Sequence, residues 1–148
     1  MLKKQDKNTN IVKYTSKGSI TAKRPIHIAM DLSYNYGDDV VVYDVKNRTP
    51  FVNYYIVCSC SNEAKMRKVI SVAEESLYDN YKEIDHKEGK NNSKWVLIDA
   101  KDIVIQIFLK EERNRVQFDK LYEDCPHKVV VSDKQPVYRR RKKQNANI

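Results

Sequence analysis

The sequence predicts an α/β (α+β) fold in which helices flank a mixed β-sheet. Two short runs, VVVYDV at residues 40–45 and YYIVCSC at residues 54–60, are almost wholly apolar, which is typical of central strands covered on both faces. Residues 61–81 repeat apolar side chains at helical spacing. The predicted order helix, strand, strand, helix, strand, strand, helix favours a single layered domain in a chain of 148 residues.

The helices have boundaries that can be recognised in the sequence. A first helix is expected after Pro25, and Gly37 is expected to end it. The second starts beside Ser61 or Asn62, either of which can accept a hydrogen bond from a free backbone N–H group of the first turn. A charged turn follows the last strand, and its apolar residues are expected to pack back on the domain: Val116, Phe118, Leu121 and Tyr122.

The stretch KWVLIDAKDIVIQIF at residues 94–108 holds the only Trp of the chain and predicts a β-hairpin. A two-residue loop at Ala100 and Lys101 would place Trp95 opposite Gln106. Side chains alternate along a strand, so the hairpin has two faces of different composition. The aliphatic face carries Val96, Ile98, Ile103, Ile105 and Ile107. The mixed face carries Trp95, Leu97, Asp99, Asp102, Val104, Gln106 and Phe108.

These two faces predict different surroundings. The aliphatic face belongs on a hydrophobic core. The mixed face combines an indole, an amide and two carboxylates, Asp99 and Asp102, which would repel each other across the strand pair. Such a face fits a docking surface for another protein. The alternative is that a second layer of helices covers it, as in open α/β sheets.

Basic charge is concentrated at the two ends of the chain. Residues 1–26 and residues 127–148 each contain seven Lys or Arg and one acidic residue, which gives each end a net charge of +6. Because the total is +8, the centre of the chain carries −4. We therefore expect a flexible basic N-terminal arm at residues 1–25, a folded domain at residues 26–125 and a basic C-terminal tail at residues 126–148.

No arrangement of residues in the sequence indicates catalysis or a bound metal. The candidate zinc ligands are Cys58, Cys60, Cys125 and His127. Their spacing matches no zinc motif, and a free Cys in an apolar strand is commonly a small buried hydrophobe. The chain has only three Gly, lacks a glycine-rich phosphate loop and has no Asp-x-Asp pair to hold magnesium. We expect no enzyme activity, no cofactor, no catalytic residue and no metal site.

The sequence also carries no signal for a membrane or for secretion. No apolar run approaches the length of a membrane-spanning helix, and the first ten residues lack the apolar segment of a signal peptide. Three Cys without a secretory signal favour a reducing compartment. We therefore expect no membrane association and a cytoplasmic location.

Three segments of the chain resemble the ribosomal silencing factor family, also called Iojap-like. They are DVKNRTPFVNYYIVCSCSNEAKMRKVISVAEE, EGKNNSKWVLIDAKDIVIQIF and EERNRVQFDKLYED. In the family, an Asp-Val strand end precedes Thr-Asp-Tyr-Phe, and Glu-Gly precedes Trp-Val-Leu-Leu-Asp-Tyr-Gly-Asp. Arg-x-x-Tyr-x-Leu-Glu-x-Leu-Trp then ends the domain. The resemblance covers roughly residues 27–124 in the same order.

The resemblance implies a non-enzymatic binding protein of the bacterial cytoplasm, rather than of an organelle. Family members dock on the large ribosomal subunit, on the protein uL-fourteen, at the face that meets the small subunit. They thereby block subunit joining and repress translation when nutrients are short. The family fold is similar to nucleotidyltransferases without their catalytic residues. The resemblance implies a monomer on the ribosome, and whether the free chain forms a homodimer stays open.

Carried over residue by residue, the family pattern gives a set of expected functional positions. The matching residues are Asp44, Tyr54, Glu88, Gly89, Trp95, Asp99, Asp102, Phe108, Arg113 and Leu121. The departures are Asn53, Tyr55, Ala100, Lys101, Gln106, Val116, Phe118, Asp119 and Tyr122. The expected partner-binding residues are Trp95, Leu97, Asp99, Lys101, Asp102, Val104, Gln106, Phe108, Asn53, Tyr54, Tyr55, Arg113 and Tyr122. Charge alone adds expected rRNA contacts in the tail at Arg139, Arg140, Arg141, Lys142 and Lys143.

Two other classes of function are kept beside the docking factor. A nucleic-acid-binding module that acts through its basic tails would bind naked RNA as tightly as ribosomal subunits. A relic of a nucleotidyltransferase would retain nucleotide turnover that depends on added magnesium.

Overall fold

The computed structural model describes residues 11–14, 20–90 and 92–132 of the chain. Its elements are β1 (Ile11–Tyr14), α1 (Lys23–Tyr34), β2 (Asp38–Asp44), β3 (Tyr54–Cys60), α2 (Glu63–Asp79), β4 (His86–Glu88), β5 (Trp95–Ala100), β6 (Ile103–Leu109), α3 (Lys110–Val116), α4 (Phe118–Leu121) and β7 (His127–Val131). Within the described residues, the strands form one seven-stranded sheet in the order β1-β7-β2-β3-β6-β5-β4. The central helices and strands that the sequence predicts are therefore confirmed.

The sheet is mixed, as the sequence predicts. β3 and β6 run parallel, with Tyr55 beside Val104 and Ser59 beside Phe108. The other strand pairs are antiparallel. Parallel neighbours need a crossover connection, and the chain between β3 and β6 supplies it with α2. This places α2 on one side of the sheet and leaves the hairpin β5–β6 beside β3.

Helices α1 and α2 cover the side of the sheet that carries the aliphatic face of the hairpin. The side chain of Asn62 caps α2 by accepting the Lys65 N–H at 2.8 Å, which confirms one of the two expected caps. The helix then buries Met66, Val69, Ile70, Ala73, Ser76 and Leu77. The same core includes Val96, Ile98, Ala100, Ile103, Ile105 and Ile107 from the hairpin. The expected burial of the aliphatic face is confirmed.

Helix α1 begins two residues before Pro25 and is anchored at both ends. Pro25, Ile28, Ala29 and Leu32 are buried, and the backbone N–H of Gly37 donates to the Leu32 carbonyl at 2.8 Å. Tyr36 lies beyond the helix in the left-handed region and is exposed. Helices α1 and α2 are joined by a hydrogen bond from Ser76 Oγ to Asp31 Oδ2 at 2.6 Å.

Helices α3 and α4 cover the central part of the opposite side, which carries the mixed face. Phe118 is buried there with Val41, Tyr43, Val57 and Phe108. Of the four apolar residues expected to pack back, Leu121 does not, because it is 56% exposed. Gln117 takes a left-handed conformation, and this residue separates the two short helices. The alternative of a second helical layer is thus correct for part of the mixed face.

A partly buried network of charged and polar groups fastens α3 and α4 to the sheet. Arg113 donates to both carboxylate oxygens of Asp119, at 2.8 and 3.0 Å, and to the carbonyl of Asp39 at 2.8 Å. Its guanidinium also approaches Ser59 Oγ at 3.4 Å. Tyr43 on β2 completes the network by donating its hydroxyl to Asp119 Oδ1 at 2.5 Å. Such bidentate contacts fix both distance and orientation.

The network favours the ionised form of Asp119. Burial by itself would raise the pKa of this carboxyl, but the hydrogen bonds from Arg113 and Tyr43 outweigh burial and hold the pKa below its usual 3.8. For Tyr43, burial and the hydrogen bond to Asp119 act together and raise the pKa of the phenol far above its ordinary range. Tyr43 therefore stays a hydrogen-bond donor at neutral pH.

The folded domain extends beyond both expected boundaries. Ile20 is buried in the main core, although the N-terminal arm was expected to run to residue 25. At the other end β7 lies inside the sheet, paired with β1 and β2, although the tail was expected to start at residue 126. The two corrections are linked, since Lys128 of β7 donates its ammonium group to the Ile20 carbonyl. Val130 is buried because β7 pairs with β1 and β2. Pairing between strands that are distant in the chain cannot be predicted from the local sequence.

The hairpin register differs from the expected one by two residues. Trp95 lies opposite Phe108 rather than Gln106, and Asp99 lies opposite Val104 rather than Asp102. The turn is formed by Lys101 and Asp102 instead of Ala100 and Lys101. Lys101 adopts a φ of 72°, and its N–H is accepted by Asp99 Oδ1 at 2.8 Å. Because the shift is an even number of residues, the strand residues stay on their expected faces, whereas Asp102 moves from the mixed face into the turn.

We expect Asp119→Asn to destabilise the fold at neutral pH by about 1–3 kcal/mol, because Arg113 would be left buried with a weaker partner. The depressed pKa of Asp119 means that its contribution is present above pH 3.8 and disappears as the pH falls through the lower folded value. Urea unfolding of both proteins between pH 7 and pH 2 measures this difference.

Asp124→Asn is the matched control, because Asp124 pairs with Arg48 on the surface and such pairs contribute little. An Asp119→Asn protein that is as stable as the parent at pH 7, or a gap between them that widens on acidification, would contradict the assigned network.

Candidate functional site

On the hairpin, the mixed face is open to solvent along β5 but covered along β6. Val104, Gln106 and Phe108, three of the expected partner-binding residues, are buried on β6, so they cannot contact a partner directly. Trp95 is 37% exposed, and Leu97 and Asp99 are half-buried on β5. The difference arises because α3, α4 and the aromatic rings around them cover β6 but not β5.

Trp95 is held in one orientation by its neighbours on β6. Its indole stacks on Phe108 with ring centroids 4.8 Å apart and an interplanar angle of 27°. The indole N–H donates to Gln106 Oε1 at 2.9 Å. Phe118 of α4 meets the same indole edge-on at 6.3 Å. The buried side chains of β6 therefore act as supports that present one face of Trp95 to the outside.

A shallow cavity of about 260 Å³ lies beside Trp95 at the edge of the sheet. Glu88, Gly89 and Leu97 complete its lining. Gly89 has a φ of 98°, and a Cβ atom at this position would lie 2.8 Å from the Trp95 carbonyl oxygen. The glycine of the Glu-Gly pair is therefore required by the close approach of two backbones. The family pattern includes this pair, but its place beside Trp95 emerges only from the pairing of β4 with β5.

Tyr55 and Tyr122 continue the open part of the face beyond Val104. Their rings meet edge-on at 5.3 Å, and Tyr122 lies 5.0 Å from Phe118. Burial, together with the charge and hydrogen bond of Tyr122 and the charge of Asp99, raises the pKa of Tyr55 to about 12. Both tyrosines are half-buried, so part of each ring remains open to solvent.

Two expected partner-binding residues, Tyr54 and Arg113, do not lie on the open part of the mixed face. Tyr54 points to the opposite side of the sheet from Tyr55, because side chains alternate along β3, and its hydroxyl accepts a hydrogen bond from Lys46 at 3.0 Å. Arg113 is buried in the network with Asp119. Both residues stabilise the fold, and neither is available for docking on the mixed face.

The hairpin turn forms a separate end of the site. The Asp102 carboxylate pairs with Lys82, and the expected repulsion between Asp99 and Asp102 is absent because they no longer face each other. The Asp102 carbonyl accepts the N–H groups of Asn53 and Tyr54 at 2.8 and 3.0 Å. This contact fixes Asn53 at the end of the sheet. Lys101 is exposed and lies 3.6 Å from Asp85.

The candidate zinc ligands are separated by the sheet. Cys58 and Cys60 belong to the core under α1 and α2, whereas Cys125 belongs to the cluster on the opposite side. All three thiols are free and buried. A hydrogen bond with Cys60, together with burial, raises the pKa of the Cys58 thiol. The described part of the chain contains no group of three or more metal-ligating side chains, and its helices include none that could cross a membrane.

The five basic tail residues expected to contact rRNA, residues 139–143, lie outside the described residues.

Comparison with known proteins assigns the family. A family model described as "Ribosomal silencing factor during starvation" matches residues 20–148, which is most of the chain. This chain belongs to the ribosomal silencing factor family. The matched region starts at Ile20, in agreement with the burial of that residue in the core.

Curated relatives agree with this assignment. The silencing factor is 24% identical over 89 residues to the ribosomal silencing factor RsfS of Bacillus subtilis, covering 60% of this chain and 75% of the relative. It is 28% identical over 102 residues to RsfS of Halalkalibacterium halodurans, covering 66% and 87%. The match to RsfS of Haemophilus influenzae is 26% identical and covers 58% of this chain and 84% of the relative.

Solved structures share the fold of the silencing factor. A protein from Chromobacterium violaceum superposes with a TM-score of 0.64 at 21% identity, covering 68% of this chain and 84% of the other. A protein from Bacillus halodurans gives a TM-score of 0.61 at 22% identity, covering 72% and 97%. Family membership gives the chain a ribosome-associated role in silencing translation, within a family of regulators rather than known enzymes.

We expect Trp95→Ala to lower the stability of the silencing factor by about 1–2 kcal/mol, because one ring stack and one hydrogen bond are removed while part of the indole already faces solvent. Phe108→Ala removes the fully buried partner of the same stack and should cost about 3–5 kcal/mol. Chemical denaturation of the two variants checks this order. If Trp95→Ala were the more damaging change, Trp95 would be a core residue and not a surface anchor.

Proposed function

We propose that this silencing factor docks with the open edge of its mixed face on the large-subunit protein uL-fourteen and thereby blocks joining of the small subunit. The family assignment supports a ribosomal target. The observation that carries the choice of surface is Trp95, a partly exposed indole fixed from behind by Phe108 and Gln106. A rigid aromatic ring loses little conformational freedom on binding, which is a common property of interface hot spots.

The charges around Trp95 favour a basic partner. Asp99 shares the mixed face with Trp95, and Glu88 lines the cavity next to it. Both carboxylates would be stabilised by Lys or Arg side chains of a partner. Glu88 Oε2 lies 2.8 Å from His86 Nε2, and this contact helps to fix the orientation of the Glu88 carboxylate at the surface. A protein of the ribosome that presents an apolar surface with a basic rim fits this site.

The proposed action represses translation when nutrients are limiting, in agreement with the word "starvation" in the description of the family model. It would take place on cytoplasmic ribosomes, with one copy of the factor on each large subunit. The tail residues Arg139 to Lys143 would add contacts to rRNA phosphates, which give affinity without reading sequence.

We expect the parent protein to co-sediment with large ribosomal subunits but not with small subunits or joined ribosomes. Trp95→Ala should abolish this binding, and Asp99→Lys should weaken it because a basic partner would repel the new charge. Glu75→Lys is the matched control, since Glu75 is exposed on α2, on the other side of the sheet. Equal recovery of the parent protein with both subunits, or normal binding by Trp95→Ala, would refute the proposal.

A second function, binding of nucleic acid through the tail alone, is favoured by the net charge of +6 at residues 127–148. Deletion must begin after Ser132, because β7 belongs to the sheet. We expect removal of residues 133–148 to weaken subunit binding mainly at low salt and to flatten the plot of log affinity against log salt, by somewhat less than one unit for each phosphate that the tail would otherwise neutralise. An unchanged slope would exclude phosphate binding by the tail. Naked RNA bound as tightly as large subunits would favour the second function.

A further inference from the structure

The open edge of the mixed face is too small to form a specific interface by itself. Stable protein–protein interfaces bury about 800 Å² on each partner, contributed by about 20–30 residues. Val104, Gln106 and Phe108 on β6 are buried. The mixed face therefore offers a partner only the three side chains of β5 (Trp95, Leu97 and Asp99) and the half-buried rings of Tyr55 and Tyr122. A partner seated on Trp95 must therefore also contact a neighbouring part of the surface.

A continuous series of ring contacts leads from Trp95 across the mixed face to the loop between β2 and β3. Trp95 contacts Phe118 at 6.3 Å, and Phe118 contacts Tyr122 at 5.0 Å. The guanidinium of Arg48, a residue of that loop, lies over the Tyr122 ring at 4.9 Å. The series therefore connects the Trp95 edge to the loop without leaving the side of the sheet that α3 and α4 cover.

Arg48 also fastens the loop to the end of α4. It donates to the Leu121 carbonyl at 3.0 Å and to Asp124 Oδ1 at 3.1 Å. Val52 of the same loop packs against the cluster of the mixed face. The loop and the end of α4 thus form one fixed surface at residues 46–53 and 121–124.

This surface presents two large apolar side chains to solvent. Phe51 is 85% exposed and Leu121 is 56% exposed. The structure shows no ring, hydrogen-bond or ion-pair contact of the Phe51 side chain with another described residue. Three exposed charged residues, Lys120, Glu123 and Asp124, lie close to Leu121 in the chain. An apolar centre with a charged rim is the usual composition of a protein-binding hot spot.

We infer that Phe51 and Leu121 form a second anchor of the docking face, and that the protein partner that covers Trp95 also covers them. The inference rests on the proposed function, because its occupant is the same partner. The Trp95 ring, the half-buried Tyr122 ring and the loop lie on the same side of the sheet. One protein with an extended apolar surface can therefore contact all of them. A nucleic-acid partner is disfavoured, because the exposed carboxylates of Glu123 and Asp124 offset the positive charges of Arg48 and Lys120.

The inference is tested with the full-length double variant Phe51→Ser and Leu121→Ser. Both side chains are largely in solvent, so the variant should melt at the same temperature as the parent. We expect its affinity for isolated large subunits to fall by at least about tenfold, the effect usual for a hot-spot truncation. Tyr78→Ser is the matched control, since Tyr78 is 80% exposed but lies on α2, on the other side of the sheet, and its affinity should match that of the parent.

A photoreactive phenylalanine analogue placed at position 51 identifies the occupant. We expect it to crosslink to the same ribosomal protein as an analogue at position 95, and an analogue at position 78 should give no crosslink to that protein. Crosslinking from position 51 to rRNA only, or to another protein, would overturn the inference.

The two proposals fail in different ways. Normal binding by the double variant together with loss of binding by Trp95→Ala overturns the second anchor and leaves the proposed function standing. Normal binding by both variants refutes the docking face as a whole, and the second anchor with it.

Discussion

Alternation of side chains along β3, β5 and β6 is the constraint on which the rest of the structure depends. Each strand must supply one row of side chains to the core under α1 and α2 and a second row to the opposite side. In the hairpin the first row is aliphatic and fully buried. The second row can then be shaped for recognition without loss of the main core, because the rows are physically separated by the sheet. The edge around Trp95 that we propose for docking is possible for this reason.

The local elements were predictable because their signals are local. Helical spacing located α2, continuous apolar runs located β2 and β3, and alternation located the hairpin with its strand residues on the correct faces. The turn was misplaced because Lys101 occupies a left-handed position that usually holds Gly or Asn. Asp99 compensates by accepting the Lys101 N–H two residues further on, the contact that favours Asp in turns.

The candidate site was less predictable, because exposure is decided by parts of the chain that are distant in sequence. Whether Phe108 or Trp95 reaches a partner depends on where α4 lies, and α4 is positioned by Arg113, Asp119 and Tyr43. A match to a family pattern at a charged residue such as Arg113 does not distinguish a residue that binds a partner from one that is buried in a structural ion pair. The placement of β7 between β1 and β2 likewise depends on long-range pairing. Tyr54 and Tyr55, by contrast, could have been separated by alternation alone.

The direction of β7 has a consequence for how the two ends of the molecule cooperate. β7 is antiparallel to β2, which is antiparallel to β3, so β7 ends at the same end of the sheet at which β5 begins with Trp95. Four strand spacings separate β7 from β5, or about 19 Å. The eleven residues from Asp133 to Lys143 can span at most about 40 Å. An anchored indole would thus hold the Arg-Lys cluster at a high effective concentration near one small region of the ribosome, and two individually weak attachments would dissociate as a single, slower unit.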